Sequence, residues 1–120
     1  MSRDLDELSG IVAAFMNARD WERYHSPRQV AAALAVEAAE LQQLYLWRDD
    51  DDPMDDRRES IEAEAADVAI CLLNFCNRAG VDLGPAILRK LEAAEQKYPV
   101  ERVRGRNKKY DEYPEWEGER

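Results

Sequence analysis

Two helix-length stretches of this chain are almost free of charge, yet each carries a pair of acids at three-residue spacing. Glu37 and Glu40 interrupt the run from Val30 to Trp47, and Glu64 and Asp67 open the run that ends "AADVAICLLNFCN". Side chains three residues apart share one helical face, about 5–6 Å apart at their Cβ atoms. Each helix therefore presents a carboxylate pair. Two such carboxylates repel, and taking them out of water adds to the cost. Something positive must offset this, and neither Val30–Leu46 nor Ala65–Asn77 contains a lysine or arginine.

A divalent metal is the favoured compensator. Glu37, Glu40, Glu64 and Asp67 offer only hard oxygens, a donor set that selects magnesium, with manganese as a substitute, over zinc. A di-iron bundle would want Glu-x-x-His pairs, and the sole histidine, His25, lies outside both helices. A purely structural alternative, two amphipathic helices whose acids face solvent, stays open but fits poorly with the apolar flanks. Magnesium on carboxylates keeps positions that substrate phosphates fill, so a phosphate-bearing substrate is expected. The chain has no glycine-rich phosphate cradle, which leaves Arg106, Lys108 and Lys109 as candidate phosphate partners.

Helix formers dominate, with five glycines and no alternating β-branched run, so the fold class is all-α, built from four helices. The first is expected over about Asp4–Arg23. The second starts near Pro27, with Ser26 as its cap, and runs to about Trp47. The third runs from Asp55 or Asp56 to Arg78 and stops at Gly80, and the fourth spans about Pro85–Lys97. The acidic stretch "RDDDDPMDD" between the second and third helices is the best candidate for a mobile segment, and the polar chain after Pro99 reads as an arm.

At 120 residues, one domain over 1–113 with a polar tail over 114–120 is expected. The net charge of -9 argues against a nucleic-acid polymer or an anionic membrane as partner. An acidic opening sequence and the lack of a membrane-length apolar run suggest a cytoplasmic protein. Cys71 and Cys76, the only cysteines, read as small buried hydrophobes. Trp21 and Tyr24 precede the second helix and Trp47 ends it, seven residues beyond Glu40 and on its face; they serve either as a stacking platform for a base or as core.

Taken together, "RDWERYHSPRQ", Glu37-x-x-Glu40 with Trp47, Glu64-x-x-Asp67 and "KYP…RGRNKKY" resemble the MazG-like all-α nucleoside triphosphate pyrophosphohydrolases, most closely their dCTP pyrophosphatase branch. The resemblance covers about residues 8–113. It implies hydrolysis of a nucleoside triphosphate to monophosphate and pyrophosphate, with magnesium on Glu37, Glu40, Glu64 and Asp67; of these acids, Glu40 is taken here as the one that orients and deprotonates the attacking water. It further implies a nucleotide pocket lined by Trp21, His25 and Trp47, a closing tail with Lys109 and Tyr110, and a homodimer or homotetramer that forms a larger helical bundle. One departure concerns the base. Where that branch has a tyrosine, four residues after the last acid, this chain has Cys71; Asn74, one turn on, is left either to hydrogen-bond base or sugar or to pack between helices. Related enzymes acting on dUTP or phosphoribosyl-ATP, a nucleotide sensor without turnover and a structural helical adaptor are the rival readings.

Overall fold

A computed structural model describes residues 3–112, with the side chain of Tyr110 outside the description. The expected tail over 114–120 lies outside the described residues. Those described form helices and turns, with no strand among them. The chain divides into two compact units, one through Leu83 and one from Gly84 onward.

In the first unit, α1 (Leu5–Ala18) begins where the Asp4 carboxylate accepts the Glu7 N–H at 2.8 Å, a side-chain cap that satisfies an otherwise unpaired donor. The helix stops five residues short of the expected Arg23. Asp20 takes a left-handed conformation (φ 55°), and Glu22–Tyr24 form a single 3-10 turn. This turn leads into α2 (Pro27–Gln43), which starts as expected: Ser26 Oγ accepts the Gln29 N–H at 3.3 Å, and Pro27 fills the first position, where its missing N–H costs nothing.

The end of α2 departs from expectation. After Gln43 the chain tightens into successive i+3 hydrogen bonds, from the N–H groups of Leu44, Tyr45 and Leu46 to Leu41, Gln42 and Gln43, and Trp47 turns left-handed (φ 65°). Trp47 therefore does not lie on the glutamate face of the helix. Arg57, thirteen residues beyond Leu44, sends its guanidinium to the Leu44 carbonyl and so satisfies the helix end.

The acidic loop, expected to be the best candidate for a mobile segment, is tied down by its own side chains. Arg48 bonds Asp52 at 2.8 Å through Nε and Asp56 at 2.6 Å through an Nη, and the Met54 N–H donates to Asp52 at 2.8 Å. Met54 is buried beneath this network in a left-handed conformation (φ 62°). A 3-10 turn at Asp55–Arg57 then opens into α3 (Arg58–Ala79), which ends at Gly80 in the left-handed conformation (φ 71°) expected of a helix-terminating glycine.

Helix α3 is the spine of this unit, with α2 packed along it and α1 on another side. Met16, Val30, Leu73 and Cys76 form the buried centre, and Asn77 Nδ2 donates to the Ser9 carbonyl at 3.0 Å, fixing α3 against α1. Cys76 is buried as expected and Cys71 only half-buried. Many large apolar side chains remain exposed, including Leu8, Ile11, Phe15 and Ile70.

Helix α4 (Leu83–Lys97), which apart from Leu83 belongs to the second unit, begins two residues before the expected Pro85. Pro85 is tolerated in its first turn, where backbone N–H groups have no helical partner. Pro99 precedes a short α5 (Val100–Val103), and a 3-10 turn forms over Tyr110–Glu112, so the segment read as an arm has local structure. No helix among the described residues is long and apolar enough to cross a membrane.

Candidate active site

The two carboxylate pairs meet because α2 and α3 run antiparallel. Glu37 of α2 lies near Glu64 of α3, while His25, twelve residues before Glu37 and just ahead of α2, meets Asn74, ten residues after Glu64 on α3. Carboxylate oxygens of Glu37, Glu40 and Glu64 all lie within 4.8 Å of one another. Asp67 stands one turn further along α3 and is exposed; its charge bears on Glu37, but its oxygens are not part of that tight group.

Electrostatics expose the cost of this convergence. Loss of water around Glu37, followed by its contacts with Glu40 and Glu64 and the charge of Asp67, pushes its carboxyl up from 4.5 to about 7. Oε2 of Glu37 and Oε2 of Glu64 are both buried without a hydrogen-bond partner. Among the described residues of the first unit, no lysine or arginine forms an ion pair with any of the four acids. Buried oxygens without donors, crowded by like charge, are stable only with a shared proton or a cation among them. A divalent, oxygen-seeking cation fits this donor set.

Beside the acids lies a cavity of about 230 Å³, lined by Trp21, His25, Cys71 and Asn74 together with Gln29, Val30 and Ile70, among others. Its volume is below the roughly 300–1,000 Å³ of sites that enclose a drug-sized ligand, and suits a single base better than a whole nucleotide. Ala33 also lines it, one turn before Glu37, and Cys71 lies one turn after Asp67. Cavity and acids therefore share one continuous face. Burial, and then the charges of Glu37 and Asp67, raise the Cys71 thiol above its ordinary value, which keeps it protonated and unreactive.

The aromatic wall is built by the turn after α1. Phe15 and Trp21 meet edge to face at 5.9 Å, Trp21 and His25 at 6.4 Å, and the Arg19 guanidinium sits 3.7 Å over the Phe15 ring. Arg78, at the end of α3, donates from Nε to the His25 carbonyl at 2.9 Å and pairs with Glu22 at 3.6 Å, which pins the turn to α3.

The structure thus brings Trp21, His25, Cys71 and Asn74 together around one cavity. Trp47 is not among them: it is 98 % exposed and does not line the cavity, because α2 ends before reaching it. Lys109 belongs to the second unit, where its N–H donates to the Glu112 carboxylate at 3.3 Å, and the Tyr110 side chain lies outside the described residues. Gln29, Ala33, Ile70 and Arg78 were missed. A signal for most of them existed: stepping back from Glu37 in fours gives Ala33, Gln29 and His25, and stepping on from Asp67 in threes and fours gives Ile70, Cys71, Asn74 and Arg78.

Comparison with known proteins agrees with this geometry. Residues 32–113 match the model of the MazG-like family. The chain is 35 % identical over 115 residues to dCTP pyrophosphatase 1 of Rattus norvegicus and 34 % identical to that of Homo sapiens, in each case covering 92 % of this chain and 68 % of the relative. A crystal structure of a pyrophosphatase from Archaeoglobus fulgidus superposes with a TM-score of 0.73 at 35 % identity, covering 82 % of this chain and 95 % of that one. With antiparallel helices that converge their acids and a family match over most of its length, the chain belongs to the MazG-like family of all-α nucleoside triphosphate pyrophosphohydrolases.

Proposed function

We propose that this enzyme is a magnesium-dependent pyrophosphohydrolase of dCTP or a base-modified dCTP, acting in nucleotide-pool housecleaning: dCTP and water give dCMP and pyrophosphate. The observation that carries the reading is the convergence of Glu37, Glu40 and Glu64, two of them with orphaned buried oxygens, next to a base-sized cavity. The 35 % identity to a dCTP pyrophosphatase over most of both chains supports the choice of base.

In this reading Glu37, Glu40, Glu64 and the exposed Asp67 hold the metal, with manganese able to replace magnesium. Once bound, the ion supplies positive charge to the triphosphate oxygens and to the departing pyrophosphate. Trp21 and His25 hold the base in the cavity, which orients the triphosphate toward the acids one helical turn away. Glu40 positions the attacking water and takes its proton as the new phosphorus–oxygen bond forms. Attack at the α- or the β-phosphorus breaks the same bridge and gives the same products, with the bridging electrons leaving on pyrophosphate or on the monophosphate.

Trp47, Lys109 and Tyr110 belong to the proposal as residues that close over the nucleotide. The 98 % exposure of Trp47 supports a role for it toward a nucleotide held by a second copy as well as by its own chain. A homodimer or homotetramer, and a cytoplasmic location beside the nucleotide pool, are parts of the same reading.

The test is a hydrolysis panel over the common deoxy- and ribonucleoside triphosphates and 5-methyl-dCTP, with and without magnesium, products separated by anion exchange. Magnesium-dependent release of monophosphate and pyrophosphate, strongest for cytosine nucleotides, is expected. A clear preference for another base would refute the dCTP assignment, and magnesium-dependent nucleotide binding without product would identify a sensor.

A further inference from the structure

Asn74 is the one fully buried polar residue among those described, at 5 % exposure, and it lines the base cavity. A buried amide needs hydrogen-bond partners. Its Nδ2 stands 3.2 Å from Nδ1 of His25. An amide nitrogen of this kind only donates, so Nδ1 must accept with its lone pair, and the proton of the neutral imidazole must then sit on Nε2.

His25 is held from other sides as well. Arg78 donates to its carbonyl at 2.9 Å, its own N–H donates to the Glu22 carbonyl at 3.1 Å, and the Trp21 ring meets the imidazole edge-on. With Nδ1 occupied by Asn74, the polar atom that His25 has left to offer in the cavity is Nε2.

We infer that Asn74 is a positioning residue that locks His25 as the Nε2–H tautomer, so that the cavity offers a neutral donor and selects a base with an acceptor facing it. This inference rests on the reading of the cavity as the base site. Cytosine carries acceptors at both O2 and N3, whereas thymine and uracil carry an N–H at N3. Placed against N3, where cytosine accepts and thymine or uracil donates, a locked donor favours cytosine and the opposite tautomer favours thymine or uracil; O2 accepts in all three bases and carries no discrimination. Cys71 has no hydroxyl and is at most a weak donor, so it adds little to this discrimination.

Because His25 is the only histidine, its ring nitrogens can be read without assignment ambiguity in a long-range ¹H–¹⁵N spectrum of the full-length, nucleotide-free protein at about pH 8. A single Nε2–H form is expected. Asn74→Leu, which removes the donor while keeping an apolar side chain of similar size, should shift the ring toward a mixture of tautomers and lower the preference for dCTP over dTTP by roughly two- to tenfold, the worth of one neutral hydrogen bond. An Nδ1–H form or a mixture in the unaltered protein would overturn the proposal. So would an unchanged spectrum in Asn74→Leu. An unaltered protein that shows the locked tautomer but hydrolyses no triphosphate would refute the functional reading and leave the lock standing, so the two failures are distinct.

Discussion

Binding of magnesium should expel a proton from Glu37, and the structure sets how much. A carboxyl raised to about 7 is mostly protonated at pH 6, whereas one bound to a metal is ionised. The expected release per ion is therefore about 0.9 proton at pH 6, about 0.5 at pH 7 and about 0.1 at pH 8. The same linkage makes the apparent affinity about tenfold weaker at pH 6 than at pH 8. Calorimetric titration of magnesium into the metal-free protein, repeated in buffers of different ionisation enthalpy, measures both quantities. Stability should follow with a definite sign. Because the folded state holds this proton more tightly than the unfolded chain, the contribution of Glu37 is fully present below about pH 4.5 and is lost as pH rises to about 7. The metal-free protein should thus melt lower at pH 7.5 than at pH 5.5, and saturating magnesium should remove that slope. Glu37→Gln should abolish the proton release. Zero release at pH 6, with equal affinity at pH 6 and pH 8, would refute the picture of crowded acids waiting for a cation.

Other regions make independent predictions. Gly80→Ala should cost about 1 kcal/mol in chemical denaturation, through backbone strain at φ 71° alone, since nothing lies within 4 Å of the added methyl. Arg48→Met should lower the thermal midpoint and loosen the loop to limited proteolysis, because it strips Asp52 and Asp56 of their guanidinium. The loss should be largest near neutral pH: Arg48 holds both carboxyls below their ordinary value, so its contribution is present above about pH 4 and fades as acid protonates them. Light scattering after size exclusion should give a mass at least twice 13.8 kDa, as expected for a chain that leaves Leu8, Ile11, Phe15 and Ile70 exposed around an apolar groove between α1 and α3; a monomer at micromolar concentration would contradict this.

Local chemistry made much of the fold legible from residues alone. Ser26 and Pro27 start α2, and Gly80 ends α3, because each effect lies within one turn of the residue that causes it. Glu37, Glu40 and Glu64 could be paired across helices because burial without a cation is costly enough to demand an explanation. The errors arose where distant residues decide. Helix α2 ends at Gln43 instead of Trp47, with Arg57 bonding the Leu44 carbonyl from the far side of the loop. The acidic loop is ordered by Arg48, whose side chain reaches back over Asp52 and Asp56. Four aspartates in a row look like a solvated linker until the guanidinium that gathers two acids of the loop is placed. Asn74 was open to two readings for the same reason, since its partner His25 lies 49 positions away.

The most direct test of the active site is the product of dCTP hydrolysis by the unaltered enzyme and by Glu64→Gln, at saturating magnesium and with circular dichroism to show that both are folded. Glu64 is the point where α3 brings a buried, unpartnered oxygen to the acids of α2. The expected result is dCMP and pyrophosphate from the unaltered enzyme and loss of turnover by at least about a hundredfold in the folded variant. A folded Glu64→Gln protein that keeps full activity would contradict the assignment of catalysis to the α2–α3 carboxylates, and release of dCDP and phosphate would contradict the pyrophosphohydrolase reaction.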